Sequence, residues 1–314
     1  MPLAIVHVLP QNSKPCGGIK VHYQLSELEQ LMGHKSFVAF PTVTDPPLWF
    51  NHNCQVITYD DAKQWKPDVV IGWKNPEFLI QNFPDAKKVA YIQGESLVNK
   101  LDGPTYKQVD IWYSSKWNQK QCTAFGFSSG KLVQPYIDLE RFHPLLYHRP
   151  SRPVVEVMVL ARKNGMKCWD WVWNRLSPNG QARLRTVEWL DSDEKLYAER
   201  LRECEIVFVS SYPEGLGLVG LEAMASKTVV VGFTGGGGTD YMKDKANCFI
   251  APDGDVGRVA QILDELVSGK NRNEFDAKVN VIRNNGYSMV AREFTRLKTQ
   301  KQLKEALVPY EKKV

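Results

Sequence analysis

The sequence predicts an α/β protein of two tandem parallel-sheet domains, on three observations. The chain has 314 residues, a length that accommodates roughly two domains. Short apolar runs alternate with segments of helical or loop character, the order that gives parallel strands with helices on both faces. The alternation breaks at the proline- and arginine-rich stretch HPLLYHRPSRP (143–153) and then restarts, so that stretch reads as a linker. The expected boundaries are 1–148 for the first domain and 149–287 for the second, with the last helix, about 288–314, returning to the first.

In the first domain LAIVHVL reads as a buried strand and PQNSKPCGG as the loop after it. IKVHYQLSELEQLMGHK has helical spacing and is ended by Gly33, a residue type that closes helices in the left-handed conformation. SFVAF is the next strand, and DVVIGW, KVAYIQG and IWYSS follow as further short apolar runs. In the second domain VVEVMVLAR is a strand, DWVWNRL helical and TVEWL a strand. SDEKLYAERLREC is a helix with Ser192 as candidate cap. EIVFVSS is a strand, LVGLEAMAS a helix, TVVVGF and CFIAP strands, and VGRVAQILDELVSG an amphipathic helix. After NNGYS a last helix runs through MVAREFTRLKTQKQLKEAL. Ligands of such sheets sit at the carboxyl ends of the strands, and two domains facing across a cleft would hold one between them.

Composition narrows the function. The apolar fraction of 43% and charged fraction of 24% fit an ordinary globular protein. Residues 1–150 carry fifteen Lys and Arg against thirteen Asp and Glu, or +2; the remainder carries 25 against 22, or +3, for a net +5. Without asymmetry between the halves, nucleic acid gains no support as a partner; a mildly basic protein suits an anionic substrate or membrane surface. Cys16, Cys54, Cys122, Cys168, Cys204 and Cys248 form no CxxC pair, so neither a zinc site nor a redox motif is indicated, and a reducing cytoplasmic compartment is expected. MPLAIVHVLP is too short to be a signal peptide, and no run approaches the ~18 apolar residues of a membrane span. The six histidines form no ligand cluster, so no metal is expected.

The chemistry concentrates in SSYPEGLGLVGLEAMASKTVVVGF (210–233). Glu214 precedes a glycine-rich turn and Glu222 lies inside the helix that follows, with seven residues between them. Gly215 and Gly217 let the backbone turn sharply and approach a ligand. The backbone N–H groups near Gly217, Leu218 and Val219 point out of the helix start and suit a phosphate or pyrophosphate. Carboxylates beside a phosphate must aim at neutral donors, and hydroxyls are the obvious ones. A ligand with hydroxyls on both sides of a pyrophosphate is a nucleotide-sugar.

This stretch resembles the E-x7-E motif of the retaining GT-B glycosyltransferases, family 4 in particular. The resemblance implies two Rossmann-like domains, with Glu214 on the donor-sugar hydroxyls and Glu222 on the ribose. VLARKNGMKCW is similar to the family's strand-end Arg, four residues, Lys pattern, which implies that Arg162 and Lys167 hold the donor diphosphate and stabilise it as it leaves. PCGGIKVH resembles the Gly-rich loop after the first strand, where Gly17 and Gly18 pass close to the donor. GFTGGGGTDYMKDKANCFIAPDGD and QPYIDLERFHP also resemble family segments. The likeness covers the C-terminal half well and the N-terminal half at scattered points. Trp189 and Leu190 are candidates for a wall of the base pocket, although Trp189 reads equally well as core.

The departures are as informative. Many relatives carry a histidine at the end of a middle strand of the N-terminal domain; here the sequence is AYIQGES, which leaves Gln93 and Glu95 as acceptor-side candidates. Lys227 replaces a small residue of the family pattern. In GGGGTDY, either Asp240 replaces the family's acid or the extra glycines loosen the loop. The implied activity is metal-independent transfer of a sugar from a nucleotide-sugar to a sugar, lipid-linked or other hydroxyl acceptor, with retention, in polysaccharide, glycolipid or other glycoconjugate synthesis. A non-catalytic nucleotide-sugar binding subunit and a nucleotide-sugar epimerase of the same architecture are the alternatives. The absence of G-x-G-x-x-G after the first strand argues against an NAD-dependent dehydrogenase. Arg292, Arg296, Lys298, Lys301, Lys304, Lys312 and Lys313 near the C-terminus read as a solvated face or as weak peripheral contact with the inner face of a membrane.

Overall fold

The structure, a computed structural model, describes residues 1–10, 15–42, 47–72, 76–94, 104–145, 154–190, 193–269 and 272–311. Met1–Tyr136 with Arg296–Val314 forms one unit and Ile137–Thr295 the other. The chain thus passes between units at 136/137 and again at 295/296, where the sequence expectation set 148/149 and about 288. Most of the stretch read as a linker, and the cap assigned to Ser192, lie outside the described residues.

In the first unit the apolar runs become β1 (Ala4–Val8), β2 (Lys35–Phe40), β3 (Val56–Thr58), β4 (Val69–Gly72), β5 (Lys87–Ile92), β6 (Asp110–Tyr113) and β7 (Lys131–Leu132). They form one sheet in the order β3-β2-β1-β4-β5-β6-β7, with every pair parallel. The short β3 and β7 extend its two edges and carry no pattern that the sequence reading recognised. The Arg296–Leu307 helix is tied into this unit: Thr299 donates to the Gln134 carbonyl at 2.8 Å and the Gln134 N–H to Gln302 at 2.8 Å.

The second unit holds β8 (Val155–Leu160), β9 (Leu184–Trp189), β10 (Ile206–Val209), β11 (Val229–Gly232) and β12 (Phe249–Ile250), ordered β12-β11-β10-β8-β9 and all parallel. Alternation along the strands splits its core in two. Val155, Val157 and Val159 pack with Trp169 and Val172 of the Gly165–Trp173 helix and with the Val256–Val267 helix. Met158 and Val207 pack on the opposite face with Ala198 and Leu201 of the Glu194–Glu203 helix and Leu221 of the Leu218–Ala225 helix. Each such fully buried aliphatic side chain stabilises the fold by roughly 1.5–3 kcal/mol. The helices that follow β8 and β10 therefore lie on opposite faces although the two strands are neighbours. That is a topological switch point, where a crevice opens outside the carboxyl ends of the strands.

The sequence reading placed the start of the last helix after NNGYS. Instead one helix, Arg272–Glu293, runs through that segment, and a separate helix begins at Arg296. Gly286 is there for close approach: a Cβ would meet the Met224 side chain at 3.1 Å and the Asn247 carbonyl at 3.3 Å. Packing against the Leu218–Ala225 helix overrides the weak helix propensity of Asn-Asn-Gly. Asp193 caps the Glu194–Glu203 helix by accepting from the Lys195 and Leu196 N–H groups. Among the described residues no helix is long and apolar enough to cross a membrane.

Candidate functional site

The site is built where β8 and β10 end. Strand β10 is fully buried, and Glu214 follows it on a turn that is fixed from one side. The Glu214 N–H donates to the Gly235 carbonyl at 2.7 Å, and the Gly237 N–H donates to the Glu214 carbonyl at 2.9 Å, so Glu214 and Gly236 pair as a short parallel bridge. Asp253 braces the glycine run in turn, accepting from the Gly235 N–H at 3.0 Å. Gly237 and Gly238 are buried. The four glycines therefore do not loosen the loop; they let it lie flat against the Glu214 turn.

Gly217 ends that turn at φ +84°, where a side chain would be strained, and stands immediately before the Leu218–Ala225 helix. No side chain caps this helix, so the first-turn N–H groups at Leu218 and Val219 keep the outward direction that such groups have at a helix start. Beneath the turn lies Tyr241, whose hydroxyl donates to the Gly217 carbonyl at 2.6 Å. Its pKa is pushed well above the usual tyrosine value by burial, then by Cys248 and the carboxylates of Glu214, Glu222 and Asp240. Both glutamates of the motif thus act on one buried ring.

Glu222 is 5% exposed and also acts on Tyr197 of the Glu194–Glu203 helix. Burial is the first cause that raises the Tyr197 pKa and Glu222 the second, while Arg162 works in the opposite direction. Arg162 and Glu222 accordingly converge on Tyr197. Trp189 packs on the same ring at a centroid distance of 6.2 Å, and its carbonyl accepts from the Ala161 N–H at 3.0 Å, fixing the chain just before Arg162. Leu190 is 67% exposed. Lys167 stands exposed on the first turn of the Gly165–Trp173 helix. In the first unit, Gly17 and Gly18 open the Gly17–Leu31 helix, and Gln93, at the end of β5, donates to the Gly18 carbonyl at 3.2 Å. Glu95 lies outside the described residues.

The sequence reading passed over Lys163. Its Nζ lies 2.5 Å from Glu214 Oε2, and the signal for it was a second cation directly after Arg162. Tyr197 and Tyr241 had no local signal, because each reads as an ordinary core position in its own segment. Among the described residues no group of three or more His, Cys, Asp or Glu is placed to hold a metal ion.

The segment 183–289 matches the family described as glycosyl transferases group 1. The match includes Glu214, Glu222 and the glycine run and leaves out Arg162 and Lys167. No curated protein shows significant sequence similarity to the chain. Solved structures share its fold along nearly the whole length. HepE of Anabaena, solved with UDP and glucose, superposes with a TM-score of 0.74 at 14% identity over 98% of this chain and 100% of that one. Sucrose-phosphate synthase of Thermosynechococcus elongatus gives 0.74 at 14% over 98% of each chain, and a glycosyltransferase of Rickettsia africae ESF-5 gives 0.72 at 15% over 98% of each. The fold is that of the GT-B glycosyltransferases: two parallel-sheet α/β domains, with seven and five strands among the described residues. Within that fold, segment 183–289 is what is similar to the group 1 glycosyl transferases.

Proposed function

We propose that the protein transfers a sugar from a nucleotide-sugar to an acceptor hydroxyl with retention of anomeric configuration and without a metal. The observation that carries this reading is the placement of Glu214 and Glu222 on either side of the Gly217 turn, at an uncapped helix start, with Arg162 and Lys167 on the neighbouring loop and helix. In the proposed mechanism the helix-start N–H groups and the two cations meet the diphosphate, and charge that develops on it as it leaves is stabilised there. Glu214 accepts from sugar hydroxyls and Glu222 from the ribose. The acceptor hydroxyl enters from the face the diphosphate leaves and gives its proton to the departing phosphate oxygen, so no protein nucleophile is required. Gly17 and Gly18 are assigned to the donor and Gln93 to the acceptor. Trp189 supports the base pocket by packing on Tyr197.

The acceptor class we infer is a growing polysaccharide, glycolipid or other glycoconjugate, handled in the cytoplasm. Exposed Arg296, Lys298, Lys301 and Lys304 supply weak contact with an anionic membrane. HepE supplies the first donor to test, since it has been solved with UDP-glucose. The deciding experiment is a thermal-shift screen of UDP-, GDP-, ADP- and TDP-sugars. A donor at a hundred times its Kd stabilises the fold by about 2.7 kcal/mol, and one base should stand out. No shift with any nucleotide-sugar refutes the reading. NMR of the product's anomeric proton then tests retention.

A further inference from the structure

Lys163 has no role in the site as described above, yet it makes a close ion pair there. Its Nζ sits 2.5 Å from Glu214 Oε2, with side chains 55% and 26% exposed. An entering ligand can therefore reach both partners. The two partners are not equally free to move. The Glu214 backbone is held on both its N–H and its carbonyl by the glycine run, whereas Lys163 reaches it on a flexible four-carbon stem. The backbone at Lys163 is itself unusual. Lys163 and Asn164 both take positive φ, 52° and 63°, a left-handed conformation that non-glycine residues adopt rarely and that clusters at ligand sites. This double turn lies at the carboxyl end of β8, directly between Arg162 and the helix that bears Lys167.

We propose that Lys163 is an exchangeable counter-ion: it neutralises Glu214 in the donor-free protein and moves to the diphosphate when sugar hydroxyls take its place on the carboxylate. The inference rests on the donor-site reading above and adds a third diphosphate ligand to it. Charge supports the exchange. Arg162 and Lys167 offer two positive charges, enough for the two negative charges on the diphosphate of a nucleotide-sugar; about one more appears when the bond to the sugar breaks and the terminal phosphate of the leaving nucleoside diphosphate ionises (second pKa about 6). A lysine released from Glu214 balances it. Glu214 cannot give Oε2 fully to a sugar hydroxyl while an ammonium holds it, so the two events are coupled. A partly exposed ion pair contributes little net stability, which makes it a contact that a ligand can displace.

The test is calorimetric titration of the full chain with UDP and with UDP-glucose, in wild type, Lys163→Met, Lys163→Arg, Glu214→Gln and the Lys163→Met/Glu214→Gln double variant, each checked for an unchanged melting temperature. The expected result has three parts. Lys163→Met weakens UDP about tenfold, and Lys163→Arg restores most of it. Glu214→Gln tightens UDP severalfold, because Lys163 is then free for the phosphates, while UDP-glucose loses its advantage over UDP. In the Lys163→Met background Glu214→Gln no longer changes UDP affinity. Unaltered UDP binding by Lys163→Met, in a protein that binds UDP, overturns this inference alone. If wild type binds neither UDP nor UDP-glucose, the GDP, ADP and TDP pairs are titrated in the same way; binding of none overturns the donor-site reading and this inference together.

Discussion

Replacing Gly237 by alanine tests whether the glycine run sets the geometry of the donor turn. A Cβ at Gly237 would lie 2.3 Å from both the carbonyl carbon and oxygen of Gly215 and 2.5 Å from the Leu216 nitrogen. Real Cβ atoms essentially never come within 3.0 Å of such atoms, so two backbones must separate by about 0.7 Å or more. Neither can yield by a rotamer change. Such overpacking costs about 1–3 kcal/mol. The separation also strains the Gly237-to-Glu214 hydrogen bond of 2.9 Å and its neighbour of 2.7 Å; losing one of them in this buried turn adds about 1–3 kcal/mol. We therefore expect a loss of about 2–6 kcal/mol in urea unfolding. Donor affinity measured by calorimetry should fall as well, although position 237 offers the ligand no side chain, because the shift carries Glu214 and the Gly217 helix start with it. Gly257→Ala is the control: its nearest neighbour is the Asp255 carboxylate at an ordinary 3.5 Å, and stability should hold or rise slightly. A Gly237→Ala protein within about 0.5 kcal/mol of wild type, the range of a neutral surface change, would show that the loop and the turn are not fixed to each other.

Three further outcomes are expected. Glu222→Gln keeps the size of a 5% exposed side chain and removes its charge; donor affinity should drop by about 1–3 kcal/mol, and an unchanged affinity for the nucleoside diphosphate would remove the ribose assignment. Transfer activity should survive EDTA, and complete loss restored by magnesium or manganese would show that an ion, not Arg162 and Lys167, meets the diphosphate. The third concerns His22, whose pKa is held well below the usual value by burial and then by His7. Its ring faces His7 on β1 at 2.9 Å and Tyr91 on β5, and His7 in turn pairs with Glu29 at 3.0 Å, which also accepts from Ser36 of β2. The unfolded chain takes up the His22 proton below about pH 6.5 and the folded chain does not. Stability should then fall with falling pH from there, by about 1.4 kcal/mol per pH unit for this proton. Urea titrations between pH 5 and 7 should show a slope shallower by one proton in His22→Gln; identical slopes would refute the assignment.

Much of the fold was legible because its strands are buried on both faces and read as continuous apolar runs, as VVEVMVL and EIVFVSS do. What escaped lacked local information. Strands β3 and β7 are edge pieces of three and two residues, too short to carry a period, and they exist because a neighbouring strand offers them hydrogen bonds. NNGYS looks like a helix breaker to any propensity scale, and only the Met224 side chain and Asn247 carbonyl beneath Gly286 explain why a glycine is there and why the helix persists. In the second unit the strand, glycine turn and helix around Glu214 and Glu222 are contiguous in the chain, so their pattern could be read. The parts that hold them in place come from elsewhere: Tyr241 from beyond the glycine run, Tyr197 from the helix before β10, Asp253 after β12.

The same division separates the two kinds of charge in the site. The glutamates are placed by rigid elements: Glu214 by two backbone hydrogen bonds to the glycine run, Glu222 by burial in a helix seated on Tyr241 and Tyr197. The cations Arg162, Lys163 and Lys167 are exposed and carry long stems. A hydroxyl is recognised by direction, and the rigid carboxylates give it one; a diphosphate is a diffuse charge that mobile cations can follow as its bond to the sugar lengthens. Substitutions at Glu214, or at the glycines that fix it, should therefore degrade discrimination between sugars, whereas those at Glu222, assigned to the ribose that every donor shares, should weaken all donors alike. Substitutions at the cations should weaken every donor with the same base by a similar factor, and more strongly at low salt, because screening is least there. Titrating Glu214→Gln and Lys167→Ala with a set of sugars on one base separates the two behaviours. If Lys167→Ala reorders the sugars while Glu214→Gln lowers them all equally, the cations and not Glu214 carry sugar recognition, and the roles assigned here are reversed.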